Sequence, residues 1–375
     1  MFRLLTFSLF ILSLLPAISS LPCIGVTHHF SRSSSPHRIP TALHSLNTNS
    51  LLLRDSDPHI IRPFLYTNVS VFLTIPNSLV SPIATNRSNA VQWLYHHVVP
   101  FYPRVNITTI SVGNDFAVAS PQAADLIFPA IRNVYSSLHD LGIHNVAVST
   151  SFSFVSVITK SFPPSAARFQ DFAGVDIMGP LLQFLSHTNS SFLINLYPYK
   201  MYKLNFAIPI GFALFEEHPF NFRDDIASGV RYQNLFDMMI DAVVSAMGAA
   251  GYENIPIVVT ETGWPSTDAI AEKEEDTNEG YAEMYLKGLV KHLKAGKGTP
   301  LRKEGVACVY VYELFDEEDE GTRESGRHWG ILYPNLTNKY SLQFSGSWSA
   351  RAGEAEAWVK ILLAVSFVSL VLLSH

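Results

Sequence analysis

The chain has 375 residues, 47% of them hydrophobic but only 15% charged, with a formal net charge of −6 and a mean hydropathy of +0.17. That much apolar residue excludes a disordered chain, and the acidic balance excludes a basic nucleic-acid footprint. Two cysteines are too few for a disulfide framework or a cysteine-rich zinc module. What stays open is whether the positive hydropathy belongs to a membrane protein or to a secreted one with apolar ends.

The ends answer first. Residues 1–20, MFRLLTFSLFILSLLPAISS, place Arg3 ahead of an apolar run over 4–15, then Pro16, with Ala17 and Ser19 at small-residue cleavage positions. This predicts a secretory signal peptide over 1–19. At the other end Ser345, Gly346 and Ser347 are followed by a mixed polar spacer over 348–357 and a charge-free apolar tail over 361–373. Small trio, spacer and tail predict a glycosylphosphatidylinositol signal, with attachment at Ser345 and removal of 346–375. The tail is shorter than the roughly 20 residues of a spanning helix. The remaining 20–345 reads as one secreted domain held at the outer face of the plasma membrane. Five Asn-x-Ser/Thr sequons, at Asn68, Asn86, Asn106, Asn189 and Asn335, agree with a secretory route. Cys23 and Cys308 either pair or stay single; spacing does not decide.

Between the ends, short β-branched runs predict eight strands, at 24–26, 51–53, 69–75, 107–112, 146–149, 192–196, 257–260 and 306–311. Helical periodicity falls between most of them, over 90–98, 122–141, 235–247 and 278–295. Ser120-Pro121 reads as cap and first-turn proline of the second, and Gly142 and Gly296 as C-terminal stops. Eight strands alternating with helices predict a single-domain α/β fold, the (β/α)8 barrel. The rival, a doubly wound open sheet, would bring a glycine-rich phosphate loop, and no GxGxxG or GxxxxGK[ST] occurs.

In such a barrel the chemistry sits at the C-terminal strand ends. Just past the fourth strand come Asn114 and Asp115, past the sixth Tyr197 and Tyr199, past the seventh Glu261 and Trp264, and past the eighth the acidic run LFDEEDE. Two carboxylates facing each other across a barrel mouth suit glycoside hydrolysis: one protonates the leaving oxygen, and the other attacks the anomeric carbon when they stand about 5–5.5 Å apart. Nearby aromatic faces suit sugar rings. The acidic run lacks the D-x-D-x-D-G spacing of a calcium loop, and no HExxH is present, so neither a metal nor a cofactor is expected.

At this point the chain resembles the plant family 17 glycoside hydrolases, the endo-1,3-β-glucanases. The resemblance is carried by RDSDP (54–58), TIPN (74–77), SVGND (111–115), NLYPY (195–199), YQNLFDMMIDAV (232–243), VVTETGWPS (258–266) and WGILYPN (329–335). It implies a retaining barrel enzyme, a monomer at the cell surface or in the cell wall, acting on a 1,3-β-glucan partner such as callose. Glu261 matches the nucleophile, and Asp115 stands at the acid/base position. Asn114, Tyr197, Tyr199, Trp264, Glu317 and His28 fall at sugar-contacting positions. The departures are equally specific. Asp115 replaces a glutamate, drawing the carboxyl back by roughly 1.5 Å. Arg54 stands where a tyrosine is usual, Thr27-His28-His29 where NYG is usual, Glu320 in place of a lysine and Gly326 in place of a glutamate. A surface protein that binds glucan with little turnover is the alternative reading.

Overall fold

The structure, a computed structural model, describes residues 21–29, 35–171, 176–268, 276–316 and 327–344. The expected signal peptide, the attachment signal with Ser345, and Glu317, Glu320 and Gly326 lie outside these residues. Eight strands close into a barrel: β1 (Cys23–His28), β2 (Ser50–Leu53), β3 (Ser70–Ile75), β4 (Asn106–Asn114), β5 (Ala147–Ser153), β6 (Phe192–Asn195), β7 (Ile257–Thr262) and β8 (Cys308–Val311). Each pairs in parallel with its sequence neighbours, and β1 closes on β8. All C-terminal strand ends therefore open on one mouth, opposite a floor made of the strand starts.

Helices return the chain from mouth to floor. They include α1 (Arg38–Leu46), α2 (Arg87–His97), α3 (Ile127–Asp140), α4 (Met178–His187), α5 (Leu235–Ala249) and α6 (Glu279–Ala295). Three start on asparagine caps: Asn86 accepts from the Ser88 N–H at 2.9 Å, Asn234 from the Asp237 N–H at 2.8 Å, and Asn278 from the Tyr281 N–H at 2.9 Å. Gly296 ends α6 in the left-handed region, as expected of a C-terminal glycine. The segment expected as one helix over 122–141 instead divides into a 3-10 turn (Pro121–Leu126) and α3, because Ala123 leaves helical geometry.

The lumen changes character along its length. Low in the barrel Leu52, Phe72, Leu193 and Tyr310 pack into a plug separate from the main core. Gly25 is required there: a Cβ would sit 2.7 Å from the Tyr310 ring and 2.6 Å from the Ser50 carbonyl. Cys23 and Cys308, the first residues of β1 and β8 and register partners, form a disulfide, which settles the pairing that spacing left open. Around the barrel, Ile24, Val26, Leu51, Leu53, Val71 and Leu73 face the helices in the main core. The floor also receives the end of the described chain, where the Phe344 N–H donates to the Leu46 carbonyl at 2.9 Å. Among the described residues no helix is long and apolar enough to cross a membrane.

Candidate active site

The ends of β4 and β7 break the regular ladder. Register slips between Ser111 and Asn114 against β5, and between Val259 and Glu261 against β6. Such slips re-aim side chains at the rims of barrels. Gly113 takes a φ of 74°, and Asp115 follows at 51°. A left-handed non-glycine residue is a local cost that surrounding bonds must hold in place. Here the Asp115 N–H donates to the Ser151 carbonyl at 2.8 Å, and the Ala119 N–H to the Asp115 carbonyl at 3.0 Å.

Asp115 is half-buried, and its Oδ1 accepts from the Ser153 N–H at 3.1 Å. Burial pushes its carboxyl above the usual range. The Ser153 hydrogen bond and the Lys200 charge pull it down, while the Glu261 charge pushes it further up. Glu261 is buried with both oxygens engaged: Tyr197 Oη donates to Oε2 at 2.8 Å, and Arg54 pairs with Oε1. Burial, then the Glu261 charge, hold the Tyr197 phenol well above its ordinary value, so it stays a neutral donor. Lys200 lies 4.3 Å over the Tyr197 ring.

A buried hydroxyl–amide chain supports the rim. Asn195 Nδ2 donates to Asn114 Oδ1 at 2.9 Å, Thr260 Oγ1 to Asn195 Oδ1 at 2.7 Å, and Thr27 Oγ1 to the Thr260 carbonyl at 3.1 Å. Asn77 reads both backbone groups of Asn114: its Nδ2 donates to the carbonyl at 2.9 Å and its Oδ1 accepts from the N–H at 2.8 Å. With Oδ1 committed as an acceptor, the donor end of the Asn114 side chain is its Nδ2.

The structure brings Asn114, Asp115, Tyr197 and Glu261 together at the mouth. It does not place three other expected sugar contacts there. Tyr199 and Trp264 are fully buried, 5.1 Å apart edge to face, and Trp264 Nε1 donates to the Asp276 carbonyl at 2.8 Å. Pro198 opens a helical turn (Pro198–Leu204), so Tyr199 faces the packed layer while Tyr197 faces Glu261. His28 is 3% exposed, edge-on to Phe315, with Nε2 enclosed. Burial, reinforced by His29 and opposed by Asp55, pushes it down to about 4. The half-buried aromatics beside Tyr197 are instead Tyr312 and Trp329, at 6.3 and 5.2 Å between ring centres.

Asn195 and Thr260, inside β6 and β7, and Asn77, in the 3-10 turn after β3, were not assigned roles from the sequence, because their partners lie on other strands; the TIPN and NLYPY segments that contain Asn77 and Asn195 were the available signal. Trp329 stood in WGILYPN without an assigned place.

Comparison with known proteins agrees with this geometry. Residues 28–344 match the Glycosyl hydrolases family 17 profile. Glucan endo-1,3-beta-glucosidase 1 of Arabidopsis thaliana is 36% identical over 321 residues, covering 84% of this chain and 61% of the relative. Glucan endo-1,3-beta-glucosidase 12 of the same plant is 33% identical, covering 83% and 58%. The chain thus spans about 60% of the length of these curated relatives. Among solved structures, CJP38, a beta-1,3-glucanase and pollen allergen of Cryptomeria japonica, superposes with a TM-score of 0.79 at 33% identity, covering 86% of this chain and 99% of that one. Fold, motif order and the carboxylates at the ends of β4 and β7 lead to one assignment: the chain belongs to glycosyl hydrolase family 17.

Proposed function

We propose that the protein hydrolyses 1,3-β-glucans of the callose or laminarin type within the chain, with retention at the anomeric carbon. Glu261 is the nucleophile and Asp115 the proton donor. The observation that carries this reading is the contrast between the two carboxyls. Glu261 meets a cation and a phenol, whereas burial favours the protonated form of Asp115; environments that divide two carboxyls in this way divide base from acid. Asn114 Nδ2 meets a sugar hydroxyl, and Tyr312 and Trp329 supply the faces. Secretion, a lipid anchor at Ser345 and glycosylation complete the reading; all five sequon asparagines are exposed.

A second reading has one observation in its favour. Asp115 is a carbon shorter than glutamate, and its Oδ1 is occupied by the Ser153 amide. A misplacement of about 1 Å costs on the order of 100-fold, which would leave a glucan-binding surface protein with slow turnover.

Release of reducing ends from laminarin separates the two. The hydrolase reading expects measurable wild-type release, loss in Glu261→Ala and Asp115→Ala, and a basic limb on which the rate falls as rising pH strips the Asp115 proton. Equal near-zero release in all three proteins sinks it. A rate gain in Asp115→Glu shows that reach limits the acid. The first anomer formed, followed by NMR, tests retention.

A further inference from the structure

The two donors on Glu261 differ in kind. Tyr197 donates to Oε2 as a neutral phenol, whereas the Arg54 guanidinium brings a full positive charge to Oε1. Arg54 is itself well fixed. It follows β2 directly, and its N–H donates to the His28 carbonyl at 3.0 Å. Its side chain is 25% exposed, against 9% for Glu261, so solvent screens the pair only in part.

We infer that Arg54 is a positioning residue that shortens the life of a glycosyl–enzyme intermediate. The inference rests on the retaining reading above. In the first step a Glu261 oxygen bonds to the anomeric carbon as the glycosidic C–O bond breaks, and the Asp115 proton moves to the departing oxygen. The carboxylate charge is consumed. In the second step Asp115 takes a proton from water, the water oxygen bonds to the anomeric carbon, and the ester electron pair returns to Glu261. The guanidinium stabilises the free carboxylate most, both transition states partly and the neutral ester least. An interaction acts on rate only through such differences between states. Arg54 therefore slows formation of the intermediate and speeds its breakdown, so the ester does not accumulate.

The test uses the full chain with an aryl β-laminaribioside whose good leaving group needs no proton from Asp115. Wild type, Arg54→Met, Arg54→Gln and Arg54→Lys are followed by rapid-quench aryl release and by intact mass. Arg54→Met is expected to give a burst approaching one aryl alcohol per enzyme and a laminaribiosyl group on Glu261. Its kcat and KM should fall together, on the order of 10- to 100-fold. Arg54→Lys, which keeps the charge, should show little of either. Arg54→Gln keeps a donor without charge and should resemble Arg54→Met; if it resembles wild type, hydrogen bonding and not charge is what matters, and the inference fails. It fails equally if both uncharged variants lose rate at unchanged KM with no burst. Should wild type release the inverted anomer and no variant carry a mass label, the retaining reading itself is wrong and this inference goes with it. Thermal melting guards against misfolding, and Arg54→Gln against Arg54→Lys repeats the comparison if Arg54→Met does not fold.

Discussion

The floor and the mouth of the barrel are built from the same eight strands and solve opposite problems. At the floor the lumen holds Leu52, Phe72, Leu193 and Tyr310, and the first residues of β1 and β8 are joined by the Cys23–Cys308 disulfide. At the mouth the register slips, Asp115 adopts a left-handed backbone, and a chain of hydroxyls and amides from Thr27 to Asn114 replaces apolar packing. Apolar burial needs no direction, so the floor constrains side-chain volume, as at Gly25, more than polar geometry. Directed hydrogen bonds need every partner, so the mouth is specified residue by residue. The difference locates stability in one end and chemistry in the other.

Four variants probe that division. The largest effect is expected for Glu261→Gln: a loss of laminarin hydrolysis on the order of 10,000-fold or more, with a melting temperature close to that of wild type, since glutamine keeps the side chain's size and hydrogen-bonding capacity and Arg54, 25% exposed, keeps access to water. A parallel loss of thermal stability would show that the mouth also holds the fold together. At the floor, replacing both Cys23 and Cys308 by serine is expected to cost about 4 kcal/mol in a denaturant titration, because the bridge spans 285 residues of sequence. KM for laminarin should stay constant, and a changed KM would break the proposed independence of the two ends.

Next in size is Asp241 on α5, which clamps the loop entering β8. Thr299 Oγ1 donates to its Oδ1, and the Leu301 N–H to its Oδ2 at 2.9 Å. Burial raises its carboxyl to about 6, against the pull of the Thr299 and Leu301 bonds. A carboxyl raised on folding binds more protons in the folded state than in the unfolded one. Its stabilising contribution is therefore complete below its unfolded value, near 4, and is lost as pH rises through about 6. Asp241→Asn should flatten the stability profile over that window by about 2–3 kcal/mol. Urea midpoints at several pH values check this, and an unchanged slope would assign the pH dependence elsewhere. The smallest effect is Thr260→Val, which leaves Asn195 Oδ1 without its donor and should cost about 1–2 kcal/mol. If the polar chain positions Asn114, hydrolysis falls with it; full activity would reduce that chain to scaffold.

The same division explains what the sequence made legible. All eight strands were visible as β-branched runs, but β4, β5 and β7 run past their expected ends by Gly113-Asn114, by 150–153 and by Glu261-Thr262. Those extensions are mostly polar, with Phe152 the exception that packs into the core, so continuous hydrophobic patterning stops before the strand does. Glu261, Asp115, Asn114 and Tyr197 were legible because their side chains and short motifs report chemistry directly. Tyr199 and Trp264 misled because an aromatic beside a catalytic motif looks the same in sequence whether it faces sugar or core; only the helical turn opened by Pro198 separates Tyr197 from Tyr199. Arg54 was visible as a departure, but its partner lies 207 positions away, and no local pattern connects the two.

The bond between Phe344 and Leu46 bears on how the molecule stands in its surroundings. The last described residue, Phe344, lies at the foot of the barrel, because its partner Leu46 is four residues before the start of β2. If the proposed lipid anchor follows, it would hold the molecule by its base and leave the mouth on the far side. A long polysaccharide strand would then lie across the opening without meeting the surface beneath the floor.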